Sequence, residues 1–192
     1  MDGSQVVGRQ GCGAYVDRLM DTLAALDTSA FDEGVRVVER AWRRGSEIIT
    51  LGNGGSAMTA LHFITDWNKS AYLSSGRSFR GRSLVDNIGL ISAYSNDISY
   101  QDVFVEQLRN IARPGDLVIA ISGSGNSENV IRAVQYANEN DAVTLGLCGY
   151  DGGRLKNAAQ HVLWTRVSDM QLSEDVHAIF GHIVMQRLCG YL

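Results

Sequence analysis

The chain repeats one local arrangement twice: an apolar strand runs into a loop of glycine and serine, and the loop opens a helix. The first copy joins a strand at 47–51 to a loop at 52–56, and the second joins a strand at 117–121 to a loop at 122–127. Such loops place backbone N–H groups and hydroxyls at a helix N-terminus, where an anion is stabilised. Two copies therefore indicate a site for a phosphorylated small molecule.

Neither loop completes a known nucleotide motif. The Gly-Lys-Ser/Thr ending of a P-loop is absent, and Glu128 stands where the dinucleotide fingerprint has its third glycine. The loops instead supply hydroxyls, which can donate hydrogen bonds to phosphate without adding charge, from Ser56, Ser122, Ser124 and Ser127. The alternative is that glycine and serine only permit tight turns and helix caps.

Composition narrows the class of protein. The 192 residues carry a net charge of −4 with no basic run, which argues against a nucleic-acid partner. No apolar run approaches the roughly 18 residues of a membrane span, so no membrane partner is expected. Three widely spaced cysteines suit reduced thiols. We therefore expect a cytoplasmic protein.

Strand and helix patterns alternate along the chain. Near-continuous apolar strands separated by helix-length segments predict a doubly wound parallel α/β sheet covered by helices on both faces. We expect a single domain, with residues 1–44 as an N-terminal helical extension, irregular over 1–11, and 45–192 as the core. The predicted helices are 14–27, 30–44, 56–70, 99–112, 127–139 and 171–189, with a helical turn near 88–94. The predicted strands are 47–51, 82–85, 117–121, 143–148 and 161–166.

The two N-terminal helices each carry an apolar stripe at helical spacing. The stripes are Val16, Leu19, Met20, Leu23 and Leu26 in the first helix, and Phe31, Val35, Val38 and Trp42 in the second. The sequence therefore predicts two amphipathic helices here.

The stretch 52–57, with His62-Phe63 six residues after Ser56, resembles the sugar isomerase (SIS) domain, and more narrowly its phosphoheptose isomerase branch. The resemblance covers nearly the whole chain. Its further segments are Ser95-Asn96-Asp97, 121–127, Asn129-Val130-Ile131 and 149–153. It implies a flavodoxin-like SIS fold, aldose–ketose isomerisation of sedoheptulose 7-phosphate or a related octulose phosphate, and a homotetramer with active sites at subunit interfaces.

Two helices place histidines and carboxylates where they can converge. His62 and Asp66 are four apart on the first-loop helix, and Glu174 and His182 are eight apart on the last helix, so each pair shares a helix face. His177 is angularly displaced from that face. A set of two histidines and two carboxylates suits a divalent metal, for which we expect Zn²⁺.

The branch resembled here has Glu and Gln where this chain has Asp66 and Glu174. Asp is one methylene shorter, so its carboxylate must lie closer to the reacting carbon or bind metal instead. Glu in place of Gln adds a negative charge, which strengthens metal binding and lowers the electrophilicity of the metal. These exchanges leave the identity of the sugar open.

The resemblance implies a cis-enediol mechanism, in which a base removes the proton next to the carbonyl and an acid protonates its oxygen. We assign Asp66 as base or metal ligand and His182 as its acid/base partner. His62, Asp66, Glu174 and His182 are the metal-ligand candidates. The substrate-binding candidates are Asn53, Gly54, Ser56, Asp97, Ser122, Gly123, Ser124, Ser127 and Glu174.

Two other functions are compatible with the pattern. One is a non-catalytic SIS-domain protein that binds a partner, like the bacterial replication initiator-associating protein. Such a protein has no need of His182, so its presence favours an enzyme. The other is a sugar-phosphate-sensing regulator, which would normally carry a DNA-binding domain that this chain has no room for.

Overall fold

Helices and strands alternate along the chain as the apolar pattern predicts. The structure is a computed structural model that describes residues 11–192, so the expectation for 1–10 lies outside the described residues. The helices are α1 (Cys12–Ala24), α2 (Thr28–Arg44), α3 (Gly54–Ser75), α4 (Ile88–Asp97), α5 (Val103–Ile111), α6 (Glu128–Glu139), α7 (Leu155–Ala158) and α8 (Met170–Leu188). The strands are β1 (Ile48–Gly52), β2 (Gly81–Ser83), β3 (Leu117–Ser122), β4 (Val143–Cys148) and β5 (His161–Trp164).

All five strands described within 11–192 form one parallel sheet in the order β2–β1–β3–β4–β5. The chain order reverses between β1 and β3, and ligands of open α/β sheets bind at such a switch point. Gly52 pairs with Ile121, so the two strands end side by side. This register brings the two Gly/Ser loops together at one edge of the sheet.

Apolar side chains on both faces of the sheet form the core. One layer packs α2, α3 and α8 against residues such as Ile119 and Leu145, and the other packs α5, α6 and α7 against residues such as Val118 and Ala120. Every residue of β1 and β3 is buried, as expected for parallel strands covered on both faces. The predicted doubly wound parallel sheet is therefore confirmed.

The element boundaries differ from the predictions in a few places. The predicted helix 99–112 begins as a 3₁₀ turn, Tyr100–Asp102, before α5. The four-residue helix α7 was not predicted, because one turn carries too little periodicity to recognise. The last strand ends at Trp164 rather than at 166. None of the helices described within 11–192 is both long enough and apolar enough to cross a membrane.

The apolar stripe of α1 is only partly covered. Leu23 and Leu26 pack against the core, whereas Val16 and Met20 are 49% and 62% exposed. By contrast, Phe31, Val35, Val38 and Trp42 of α2 are all buried. The outer half of the α1 stripe therefore lacks a partner within the described part of this chain.

His177, on the inward face of α8, is enclosed by the core. It is 1% exposed, and neither of its ring nitrogens has a hydrogen-bond partner among the described residues. Burial lowers the pKa of His177 to about 4, and the nearby backbone of Cys148, which acts to raise this pKa, offsets only part of that effect. The imidazole is therefore held neutral in the folded protein.

This burial predicts an acid-sensitive contribution to stability. In the unfolded chain His177 takes up a proton near pH 6.5, whereas in the folded protein it does so only near pH 4. Between these values the unfolded state binds more protons, so the free energy of unfolding decreases as the pH is lowered. From pH 7 to 5 the loss from this group is about 2 kcal/mol. Urea unfolding should show His177→Leu losing correspondingly less stability than wild type over this range. Equal losses in the two proteins would contradict the assignment.

Candidate functional site

Both Gly/Ser loops open into one cavity of about 260 Å³ at the carboxyl ends of β1 and β3. Among the described residues that line it there is no Lys or Arg, so an anion in the cavity depends on N–H groups, hydroxyls and helix dipoles. The lining includes eight predicted substrate-binding residues, namely Asn53, Gly54, Ser56, Ser122, Gly123, Ser124, Ser127 and Glu174, together with Ile121 and Met170.

The two helices that begin at this cavity, α3 and α6, lack the side-chain caps found on three of the other helices described. Asp27, Asn87 and Asp169 cap α2, α4 and α8 by accepting hydrogen bonds from backbone N–H groups of the first turn. Asn53 and Ser127 occupy the same position before α3 and α6, yet neither side chain makes a cap hydrogen bond.

The first turn of α3 consequently keeps free donors. Within the described residues, the N–H groups of Gly54, Gly55 and Ser56 have no acceptor. A helix leaves such first-turn N–H groups without partners inside the helix, and an anion satisfies them. These N–H groups are therefore available to a ligand.

The second loop is shaped by contact with the turn at 149–153. Gly125 has a positive φ of 65°, donates its N–H to the Ser122 carbonyl at 2.9 Å and accepts from the Leu155 N–H at 2.9 Å. A Cβ on Gly125 would collide with the backbone of Gly152 and lie 3.1 Å from the Gly153 nitrogen. The loop conformation therefore requires glycine at this position.

A second group of functional side chains lies further along the same helices. The ligand atoms of His62, Asp66 and His182 all lie within 4.8 Å of one another. His62 Nε2 is 3.1 Å from Asp66 Oδ2, and the His62 and His182 ring centroids are 5.0 Å apart. Both histidines are exposed and Asp66 is partly buried, so the group is accessible from solvent.

Glu174 joins only one of the two groups predicted for it, and Asp97 lies outside the one group predicted for it. Glu174 lies in the loop cavity, where its carboxylate faces Gly55 and has no hydrogen bond or ion pair within the described residues, and it is not part of the His62 group. It shares a helix face with His182 but precedes it by about 12 Å of helix rise. Asp97 lies exposed at the end of α4, accepts from Asn96 Nδ2 at 2.8 Å and does not line the cavity.

The packing of α3 against α8 joins the two groups into one site. The indole nitrogen of Trp67 donates to the Gly181 carbonyl at 2.9 Å, and Gly181 leaves room for the ring of Phe63. Both helices begin at the loop edge of the sheet and run away from it. His62 follows Ser56 by six residues, or about 9 Å of helix rise. The anion donors and the His/Asp/His group thus lie at opposite ends of one surface.

Two residues that hold the loops in place, Asn129 and Tyr100, were not predicted from the sequence to be site residues. Asn129 in α6 exchanges two hydrogen bonds with Asn53, at 2.9 and 3.0 Å, and so links the two loops. The Tyr100 hydroxyl also donates to Asn53 Oδ1, at 2.8 Å. Asn129 belongs to a segment that carried the family resemblance, which could have identified it, whereas no local pattern distinguishes Tyr100.

The chain is similar to known proteins both in sequence and in fold. The family model described as SIS domain matches residues 13–149. A phosphoheptose isomerase from Aliarcobacter butzleri is 33% identical over 155 residues, covering 81% of this chain and 82% of that protein. One from Chlorobium phaeobacteroides is 31% identical over 182 residues, covering 92% and 80%. The solved structure of phosphoheptose isomerase from Neisseria gonorrhoeae has a TM-score of 0.83 at 25% identity, covering 92% of this chain and 95% of that chain.

The conformation of the second loop predicts that replacing Gly125 destabilises the protein. We expect Gly125→Ala to lower the free energy of unfolding by about 2–4 kcal/mol, because the new methyl group adds a clash with fixed backbone to an unfavourable φ. Urea denaturation followed by circular dichroism measures the change.

Gly115→Ala is the matched control, since Gly115 has a positive φ of 84° but nothing within 4 Å of the added Cβ. It should cost only the conformational penalty, about 1–2 kcal/mol. Equal losses in the two variants would mean that contact with the 149–153 turn does not shape the loop.

Proposed function

The chain belongs to the SIS domain family, and we propose that it is a metal-dependent aldose–ketose isomerase of a long-chain sugar phosphate. Sedoheptulose 7-phosphate and a related octulose phosphate are the proposed substrates. One observation carries the proposal: free anion donors and a His/Asp/His group lie at opposite ends of the surface built by α3 and α8. A sugar phosphate has a matching pair of ends, a phosphate and a carbonyl.

The donor set of the His62 group fits a divalent metal. Two imidazoles and a carboxylate supply the mixed nitrogen and oxygen ligands that favour zinc, and three protein ligands are typical of catalytic zinc sites. His62, Asp66 and His182 would hold the ion, and Glu174 is proposed as a further ligand. When bound, the metal would act as a Lewis acid that polarises the carbonyl and stabilises the negative charge that develops on its oxygen.

Asp66 and His182 are the groups proposed to move protons. A base removes the proton from the carbon next to the carbonyl while an acid delivers a proton to the carbonyl oxygen, which gives a cis-enediol. Return of a proton to the other carbon, with loss of the proton on the second oxygen, completes the exchange of aldose and ketose. Asp66 is the base unless it serves only as a ligand, and His182 is its acid/base partner.

The loops are proposed to set substrate length. Phosphate would be held by the free N–H groups of α3 and by the hydroxyls of Ser56, Ser122, Ser124 and Ser127. With the His62 group about 9 Å further along the helices, a short sugar cannot place its carbonyl there while its phosphate stays in the loops. Asp97 is proposed to meet substrate hydroxyls.

We further propose that the active enzyme is a cytoplasmic homotetramer with sites at subunit interfaces. Val16 and Met20 of α1 are exposed, and so is Met58 of α3, which lies one turn before His62 on the same helix face. Such apolar exposure beside a site favours cover by a second copy of the chain.

The proposal predicts turnover that depends on metal and on chain length. Zinc-loaded protein incubated with ketose phosphates of five to eight carbons should form the matching aldose, with the longer chains turned over faster, as followed by NMR. Removal of the metal with a chelator should abolish the reaction. No turnover of any of these sugars, with or without zinc, would contradict the enzyme and favour the binding-protein alternative.

His182→Ala tests the assigned acid/base group and should lower kcat by at least about 100-fold while leaving the circular dichroism spectrum unchanged. His161→Ala is the matched control, because His161, in β5, neither lines the loop cavity nor belongs to the His62 group. Its kcat should equal that of wild type. A His182→Ala variant as active as the control would refute the role of His182.

A further inference from the structure

Asn53 stands at the N-cap of α3 with its side chain turned to other partners. Its backbone, at φ −114° and ψ 152°, has the extended conformation from which an Asn side chain ordinarily caps a helix. Its Oδ1 instead accepts from Tyr100 Oη at 2.8 Å and from Asn129 Nδ2 at 3.0 Å, and its Nδ2 donates to Asn129 Oδ1 at 2.9 Å. The acceptor that would satisfy first-turn N–H groups is therefore engaged elsewhere.

The turn that carries Tyr100 is fixed to α6. Ser99 Oγ donates to Asp102 Oδ2 at 2.6 Å, and Arg132 Nη1 of α6 donates to Asp102 Oδ1 at 2.7 Å. These two contacts lower the pKa of Asp102, so the carboxylate stays charged and the ion pair persists at neutral pH. The Tyr100 hydroxyl is therefore placed by the same helix that opens from the second anion loop.

We propose that Tyr100 is a positioning residue that holds the Asn53 amide away from the first turn of α3 and so keeps the N–H groups of Gly55 and Ser56 free for the ligand anion. Asp27, Asn87 and Asp169 do form caps, and among the described residues the capping oxygen of each accepts from no other element, although Arg18 donates to the second oxygen of Asp169. The identity of the anion as a sugar phosphate rests on the proposed function.

This role predicts that removing the Tyr100 hydroxyl weakens anion binding without lowering the stability of the unliganded protein. In Tyr100→Phe the ring remains, but Asn53 loses one of the bonds that hold its amide and can rotate to cap α3. The cap then competes with the ligand for the same N–H groups, so anion affinity falls. The unliganded protein gains the cap in exchange for the lost hydrogen bond, so its Tm does not fall appreciably.

A thermal-shift titration with inorganic phosphate measures both quantities on the intact protein. For Tyr100→Phe we expect the apparent Kd for phosphate to rise by about three- to tenfold, with the phosphate-free Tm within about 2 °C of wild type or above it. Tyr72→Phe is the matched control, because Tyr72 is similarly exposed, at 55% against 51%, and is not a cavity residue. Its Kd and Tm should match wild type.

A second comparison, in protein that already carries Asn53→Ala, tests whether Tyr100→Phe changes the phosphate Kd by acting on the Asn53 side chain. Alanine cannot cap, so adding Tyr100→Phe to Asn53→Ala should change the phosphate Kd by less than about twofold. An unchanged Kd in the single variant, or the same loss in both backgrounds, would overturn the role of Tyr100 and leave the proposed function standing. If wild type itself does not respond to phosphate, the phosphate site and this inference both fail.

Discussion

The pairing of β1 with β3 is the constraint on which the rest of the site depends. Their register places Gly52 opposite Ile121, so both strands deliver their loops to the same point. A Cβ on Gly52 would lie 2.9 Å from the Ile121 carbonyl oxygen and 2.9 Å from Ser56 Cβ. The strand end and the first turn of α3 can approach this closely only because residue 52 is glycine. The cavity at the carboxyl ends of the two strands is the direct consequence.

The buried faces of α3 and α8 extend that arrangement to the second half of the site. Phe63 and Trp67 stack at 4.8 Å between ring centroids, and both meet α8 at Gly181. Because His62 precedes Phe63 and His182 follows Gly181, the packing in the core fixes the pair of histidines on the surface. Mutations of these core residues should therefore affect the geometry of the His/Asp/His group as well as stability.

Periodicity and turn chemistry were sufficient to predict the sheet, the loops and most helices, because these are local properties of the chain. The His62, Asp66 and His182 group was also predictable, since helix spacing and the family resemblance both pointed to it. The position of Glu174 outside this group was not predictable, because two residues on one helix face can still be far apart along the helix axis. Tyr100 was missed because its contact with Asn53 spans 47 residues and has no local signature.

We propose that this surface holds a sugar phosphate by its phosphate while side chains at the other end move a proton between neighbouring carbons. Incubation of the zinc-loaded protein with sedoheptulose 7-phosphate in D₂O measures that step directly. We predict that NMR and mass spectrometry of the recovered sugar will show solvent deuterium on the carbon next to the carbonyl in each isomer, which is C2 of the aldose and C1 of the ketose. Recovered sugar that has bound to the protein but carries no deuterium would contradict it.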